Sequence, residues 1–299
     1  MGAFEFKGRQ ILEFLPYVEK FRSKTLVFKY GGATSKIDNS FLKEDIIRDI
    51  TLLKYVGINI VIVHGGGEEI TNYMDKLGMQ AEFVNGRRIT TRDAMEVVQM
   101  VLVGKINQKI VSMVNRYGGK AVGLTGNDAN LLVVKKRMPE KFFDEKTKTE
   151  KEIDLGFVGD IQKVNEKLIS YLCEKDFIPV ISPIGIGIDD ETYNVNADDV
   201  ASSVAQALKA EKLIILTNVD GIYEIKDNEN TIKSILTIEE ANKMIANNQI
   251  VGGMIPKVTA CINAINNGVE TAHIINGKKE NSVLLEIFTD KGIGTMIGH

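Results

Sequence analysis

Thiols and imidazoles are scarce in this chain. Its two cysteines, Cys173 and Cys261, lie far apart in apolar stretches, which argues against a disulfide framework and against a zinc cluster. The three histidines, His64, His273 and His299, are too scattered to mark a metal site. An excess of one charge sign is lacking too. The 37 basic and 40 acidic residues give a net charge of −3 and leave no basic stripe of the kind nucleic-acid binding needs. No apolar run approaches the roughly 18 residues of a membrane span, and the N-terminus carries no apolar core ahead of a small-residue cleavage site. These absences predict a soluble, cytoplasmic protein that binds neither nucleic acid nor membrane. At 299 residues with 44% hydrophobic content, the chain is long enough for one large α/β domain or two lobes.

A rhythm of strands and helices is present instead. Apolar, β-branched runs recur as "TLVFKY" from 25, "INIVIVHG" from 58, "KAVGLTG" from 120, "FIPVISPIG" from 177, "KLIILTNV" from 212 and "TAHIIN" from 271. Helical patterns fill the gaps, notably 41–56, 91–117, 196–210, 238–247 and 256–267. Continuous apolar strands alternating with helices predict a three-layer αβα sandwich around a central, mostly parallel open sheet. The charged stretch 134–160 breaks the rhythm and reads as a hairpin or long loop over one edge. Three segments result: residues 1–22, a lobe 23–190 and a lobe 191–299, with the boundary in "GIGIDDETYNVNADD". In the first segment Ile11, Leu12, Phe14, Leu15, Val18 and Phe21 fall at helical spacing around Pro16, which is expected to kink it. That apolar face either packs on its own domain or docks on another subunit.

Glycines gather where strands end: "KYGGAT" (29–34), "HGGGEE" (64–69) and, at a helix start, "GGMIPK" (252–257). Ligands of open α/β sheets collect beyond the carboxyl ends of the strands, and bare amides at helix N-termini bind phosphate oxygens. Neither GxxxxGK[ST] nor GxGxxG occurs, so the phosphate cradle is of another kind. Lys29 ends an apolar strand, where a solvated charge is not expected. Lys257 lies near the start of a helix that Pro256 favours as an early position. Cations on either side of a migrating group, with amides around it, are what phosphoryl transfer requires. In "YNVNADDV", Asn194 or Asn196 either caps the next helix or faces a ligand. Asp198 either complements the helix dipole or points into the crevice and holds both lysines. One arginine of "NGRRIT" suits a carboxylate ligand as a bidentate fork. No general base stands out. A carboxylate acceptor needs none, being ionised at pH 7 with a pKa of about 4.3. The residues therefore point to phosphoryl transfer from a nucleotide to a small carboxylate.

Lys29 with Gly31 and Gly32, "VHGGG", "NGRRIT", "YNVNADD", "LTNVDGIY", "GGMIPK" and "HIINGKKENSVLLEIFTDKGIGTMI", in this order, resemble the N-acetylglutamate kinases of the amino-acid kinase family. The resemblance runs from about residue 9 to the C-terminus. It implies an amino-acid kinase fold whose N-terminal half binds N-acetyl-L-glutamate and whose C-terminal half binds ATP, with γ-phosphate transfer to the side-chain carboxylate as the second step of arginine biosynthesis. By matching motifs it implies that Lys29 and Lys257 stabilise the transferred group and that Asp198 orients both. Gly65, Gly66, Arg88, Asn194 and Asn196 would contact the acceptor. Gly31, Gly32, Thr217, Asn218, Asp220, Gly221 and Gly253 would contact the nucleotide. Mg2+ would be held mainly by ATP oxygens and water.

The segment "LPYVEKF" and the ending "EIFTDKGIGTMI" further resemble the arginine-inhibited, hexameric branch, a trimer of dimers interlaced by an N-terminal helix. On that likeness Tyr17, Lys212, Glu286 and Gly294 are candidates to contact arginine. Some relatives associate with the PII signal protein, which this sequence leaves open. The chain departs from the family pattern at Glu68, Asn127 and Asn218, none of them a catalytic position. Two alternatives share most of these motifs: a kinase for an aminoadipate-type acceptor, and a non-catalytic arginine sensor of the same fold.

Overall fold

The computed structural model describes residues 3–31, 44–84, 86–144, 149–225 and 231–299. Gly32 and the first three residues of the helix expected at 41–56 lie outside them. Helix α1 (Ala3–Phe21) leads into β1 (Thr25–Tyr30), followed by α2 (Glu44–Tyr55), β2 (Asn59–His64) and α3 (Gly67–Lys76). A short ladder, β3 (Phe83–Val84) with β4 (Arg87–Arg88), precedes one long helix built from α4 (Arg92–Gln99), a π-helical segment (Met100–Asn107) and α5 (Gln108–Arg116). Next come β5 (Ala121–Leu124), β6 (Leu132–Lys136), β7 (Glu140–Asp144), β8 (Thr149–Ile153), β9 (Gly159–Val164), α6 (Glu166–Glu174), β10 (Ile178–Ile181), β11 (Ile184–Gly187) and β12 (Thr192–Asn194). The chain continues through α7 (Ala197–Ala207), β13 (Lys212–Thr217), β14 (Ile235–Thr237), α8 (Ile238–Ala246), α9 (Met254–Asn266), β15 (Thr271–Asn276), α10 (Ser282–Ile287) and β16 (Thr295–Gly298).

All six expected strands enter one eight-stranded sheet of order β14-β16-β15-β13-β1-β2-β10-β5, parallel throughout except between β15 and β16. Side chains alternate between the faces of a strand. Val27, Val61, Val63, Leu213, Ile215 and Ile274 accordingly join the core under α6, α7, α8 and α9. Leu26, Phe28, Ile60, Ile62, Ile214 and Ile275 join the core under α2, α3, α4, α5 and α10. Burial on both faces is why these strands read as continuous apolar runs. The helix Arg92–Arg116 is long and apolar enough to cross a membrane, but half of its apolar stretch is buried, with Val97, Val98, Val101 and Ile110 in the sheet's second core.

Three expectations are refined. The stretch 134–160 holds more than a hairpin or loop: β7 and β8 do form a hairpin, but β6 and β9 belong to a second sheet of order β12-β11-β6-β9, with Leu132, Val134 and Val164 in the core. Across the boundary expected near 190, β12 pairs antiparallel with β11, and the central sheet runs unbroken through both halves. Helix α1 runs through Pro16 and packs on its own chain: the Phe14 and Tyr17 rings lie 4.2 and 6.5 Å from Phe288, and the Tyr17 hydroxyl donates to Asp290 Oδ1 at 2.5 Å. Leu12 and Leu15 stay exposed.

Candidate active site

The carboxyl ends of β1 and β2 lie side by side, Lys29 opposite Val63 and Tyr30 opposite His64, so their glycine loops emerge together. Gly31 has φ +121°, and a Cβ there would stand 3.0 Å from the Gly65 nitrogen. Two backbones thus approach to a distance that only glycine allows. From the other side α7 presents Asp198 in its first turn, and α9 presents Lys257 in its own. The Asp198 carboxylate bridges the two lysines, with Oδ1 3.0 Å from Lys29 Nζ and Oδ2 2.9 Å from Lys257 Nζ. The Lys29 contact is an ion pair without hydrogen-bond geometry, and Lys29 donates instead to the Gly31 carbonyl at 2.9 Å.

Burial pushes the Lys29 ammonium down to about 8, with Asp198 pulling it up and Lys257 pushing it further down. Burial also opposes charge on Asp198, but the two ammonium groups more than offset this and hold its carboxyl below the usual range. Two cations share one anion here, so the cluster carries excess positive charge in a poorly solvated place. That is a standing attraction for an anionic ligand.

A cavity of about 230 Å³ opens beside this cluster, lined among others by Lys29, Gly65, Gly66, Arg88, Asn194 and Asn196. Arg88 is 6% exposed and has no carboxylate at ion-pair distance among the described residues. Its guanidinium donates to the Gly67 carbonyl at 2.8 Å and to Thr71 Oγ1 at 2.7 Å, and burial lowers its pKa. Neighbouring Arg87 and Arg137 are neutralised by Glu140 and Asp160. Of the "NGRRIT" pair, Arg88 is therefore the one without a carboxylate partner among the described residues.

Asn196 caps α7, its Oδ1 accepting from Asp198 N at 2.8 Å, while still lining the cavity. Asn194 donates to Thr90 Oγ1 at 3.3 Å. The Gly65 N–H is committed to the Tyr30 carbonyl at 2.8 Å, whereas that of Gly66 has no partner among the described residues.

The other expected residues sit elsewhere. Thr217 ends β13, and Asn218, Asp220 and Gly221 follow it. Asp220 is held by Asn276 at 2.6 Å and Lys279 at 2.8 Å, and the loop is pinned where Thr295 Oγ1 accepts from Ile222 N at 2.8 Å. Gly253 precedes α9. At the opposite ends of the strands Lys212 Nζ lies 2.8 Å from His273 Nε2, and His273 Nδ1 lies 2.5 Å from Glu286 Oε1. Glu286 Oε2 accepts from Ile293 N and Gly294 N. Burial pushes Lys212 down to about 8 against the pull of Glu286. Tyr17 joins through the neighbouring segment, bonded to Asp290. The sequence reading missed Arg137, His273, the Asn276–Lys279 grip on Asp220, and a buried His64 under the Gly65 loop. A histidine inside "TAHIIN" and another ending "NIVIVH" were the available signals. Among the described residues no three His, Cys, Asp or Glu side chains gather as a metal site.

The profile of the amino acid kinase family matches residues 24–276. The acetylglutamate kinase of Caldanaerobacter subterraneus subsp. tengcongensis is 49% identical over 292 residues, covering 98% of this chain and 93% of that one. That of Methanothermobacter thermautotrophicus is 48% identical, covering 96% and 97%. Among solved structures, carbamate kinase from Giardia lamblia bound to AMP-PNP shares the fold with a TM-score of 0.64 at 16% identity, covering 92% of this chain and 98% of that one. N-acetylglutamate synthase from Neisseria gonorrhoeae, complexed with coenzyme A and N-acetyl-glutamate, gives 0.77 at 24% identity; 97% of this chain matches, but only 62% of that longer one. With a profile match over residues 24–276 and relatives near half identity along nearly the whole chain, the chain belongs to the amino acid kinase family, alongside the acetylglutamate kinases.

Proposed function

We propose that the protein transfers the γ-phosphoryl group of ATP to the side-chain carboxylate of N-acetyl-L-glutamate, giving N-acetylglutamyl 5-phosphate and ADP. The observation that carries this reading is the Lys29–Asp198–Lys257 bridge, a surplus of positive charge at the mouth of a cavity that also holds Arg88. A carboxylate oxygen of the acceptor forms the new P–O bond as the bond from γ-phosphorus to the bridging oxygen breaks. No proton needs to move, because the acceptor is already ionised. The obstacle is repulsion between two anions, and the two ammonium groups relieve it in the transition state. Asp198 sets their spacing and keeps Lys29 charged. Arg88 takes the α-carboxylate, with Asn194 and Asn196 beside the acceptor. The N-terminal half of the chain then holds the acceptor. The loop Thr217–Gly221 and Gly253, in the C-terminal half, hold the nucleotide. Mg2+ would come with ATP and help neutralise its phosphates; among the described residues no His, Cys, Asp or Glu cluster gathers to hold it.

End-product control belongs to the same proposal. Arginine would bind at Lys212, Glu286 and Gly294, with Tyr17 on α1 nearby, and the exposed Leu12 and Leu15 would seat α1 on another protomer of a hexamer. The test is ATP-dependent acyl-phosphate formation, trapped as hydroxamate, with N-acetylglutamate, aspartate and free glutamate compared with and without arginine. Turnover of N-acetylglutamate alone is expected, suppressed by arginine. No turnover with any acceptor by folded protein sinks the kinase reading, and turnover indifferent to arginine sinks the regulatory part. Removal of residues 1–22 is expected to leave dimers by light scattering.

A further inference from the structure

Strand β2 ends on His64, whose side chain is wholly buried beneath the Gly65–Gly66 loop. Polar nitrogens in such a place are tolerated only when partnered. Nδ1 lies 3.0 Å from the Gly65 carbonyl oxygen, and Nε2 lies 3.2 Å from both Ser182 Oγ and Asn107 Nδ2. A carbonyl can only accept, so Nδ1 carries the proton and Nε2 is an acceptor. Asn107, last residue of the π-helical segment, donates through Nδ2 to the Val180 carbonyl at 2.8 Å and to Ser182 Oγ at 3.0 Å. The donors thus run one way: Asn107 to Ser182, Ser182 to His64, His64 to the Gly65 carbonyl. Burial lowers the imidazole to about 4, so the chain of donors keeps this polarity across the neutral range.

Peptide geometry converts this grip into a direction. In a planar trans peptide the C=O and N–H point opposite ways. The Gly65 carbonyl faces His64 in the core, so the Gly66 N–H of the same peptide faces away, on the side where Gly66 lines the cavity with Lys29 and Asp198. The preceding peptide is fixed as well, by the bond from Gly65 N to the Tyr30 carbonyl. Leu102 and Ile106, both from the π-helical segment, press on Gly66: a Cβ there would stand 2.6 and 2.5 Å from their methyl carbons. π-helical turns inside α-helices often mark functional sites, and the eight-residue segment Met100–Asn107 supplies both the pressing side chains and Asn107.

We propose that His64, braced by Ser182 and Asn107, is a positioning residue that aims the Gly66 N–H at the anionic oxygens of the transferring phosphoryl group or its carboxylate acceptor. This rests on the kinase reading above. His64 touches no substrate. It fixes a donor in advance, so no reorientation is needed as charge develops.

Three variants test this with ATP and N-acetylglutamate at pH 7.5. His64→Leu removes both hydrogen bonds. It is expected to lower kcat about 30- to 100-fold while KM for ATP stays within about threefold. Binding of ADP with aluminium fluoride and acceptor should weaken by the same factor, since it samples the transition-state arrangement. His64→Asn keeps an amide donor near the place of Nδ1 and is expected to recover at least about tenfold of the loss. Ser182→Ala keeps the bond to Gly65 but unbraces the ring, lowering kcat about three- to tenfold, and it carries the test if the leucine variant does not fold. Folded variants with kcat within about twofold of the unmutated protein, or a loss appearing only in KM, overturn the inference. An unmutated protein that does not phosphorylate N-acetylglutamate overturns the kinase reading, and this inference with it.

Discussion

Asp198→Asn should move the alkaline limb of the pH–rate profile to lower pH. In the free protein burial pushes Lys29 down to about 8 even with the Asp198 carboxylate at 3.0 Å. At an effective dielectric constant near 20, opposite charges at that distance attract by roughly 5 kcal/mol before other groups are counted, equivalent to roughly 4 pKa units. Lys257, 2.9 Å from the other carboxylate oxygen, repels Lys29 and is neutralised by the same aspartate. Removing the negative charge therefore removes the support of Lys29 and leaves the repulsion. Even a quarter of the direct attraction moves Lys29 by about one unit, to neutral pH or below. With a pKa of about 8, Lys29 is about 90% charged at pH 7 and about 10% at pH 9. In the proposed mechanism its cationic form is the active one, so kcat/KM of the unmutated protein should fall as pH rises through 8. The quantity to record is kcat/KM, because it reports the free protein's groups, whereas bound ATP holds the lysine charged. Hydroxamate rates from pH 6 to 9.5 are expected to show the limb near 8 in the unmutated protein and at least about one unit lower in the variant, with kcat down about 100-fold or more at pH 7.5. A limb that stays in place or moves upward refutes this account of the lysine pair.

Three further outcomes can be checked directly. Arg88→Gln should raise KM for N-acetylglutamate about 30- to 100-fold with little change in KM for ATP, since the lost interaction is a buried charge-assisted one; equal changes in both constants contradict its assignment to the acceptor. Gly31→Ala forces a side chain into φ +121° and to 3.0 Å from the Gly65 nitrogen, so it should cost about 1–3 kcal/mol, seen by calorimetry as a drop of several degrees in melting temperature. His64 is held neutral, its pKa lowered to about 4, so between pH 6.5 and 4 the unfolded chain binds the proton that the folded chain refuses. Stability therefore falls as pH is lowered through that window, by about 2 kcal/mol at pH 5; urea titrations at pH 7.5 and 5 should show that His64→Asn loses this part of the slope.

What the sequence made legible follows from physical locality. Strands covered on both faces read as continuous apolar runs, so the six long strands and the three layers were visible. Lys29 stood out because a cation at the end of "TLVF" contradicts its surroundings, and it proves buried against Asp198. Strands β6 and β9 were hidden because Lys135 and Lys163 are exposed and β6 ends on the exposed Lys136, so the stretch reads as solvated although Leu132 and Val134 are buried in the core. Whether Asn196 capped a helix or faced a ligand could not be read from spacing; it caps α7 and lines the cavity at once. The setting of His64 was invisible for another reason. Its partners come from the end of a π-helical segment and from the residue after β10, and no local pattern in "VHGGG" encodes either.

Strands β13 and β15 run from the second cluster toward the end of the sheet where Lys29 lies, β13 pairing with β1 up to Lys29 and Ile215. Lys212 opens β13, and Thr217 at its other end leads into the loop proposed above to hold the nucleotide. In β15, His273 meets Lys212 and Glu286 near one end, while Asn276 closes the other by gripping Asp220. Five steps of about 3.3 Å put the two ends of β13 roughly 17 Å apart. A six-residue parallel register ties β13 to β15 along this length. A ligand that competes for Glu286, now shared by His273 and the amides of Ile293 and Gly294, has to reorganise the segment that also carries Phe288 and Asp290, the contacts of α1. If arginine acts there as proposed above, Glu286→Gln should weaken its inhibition at least about tenfold without altering kcat in its absence, because the residue lies at the far end of the strands from Lys29. A variant that retains full inhibition would detach the second cluster from control of the first, leaving it as a structural seal between α1 and the sheet.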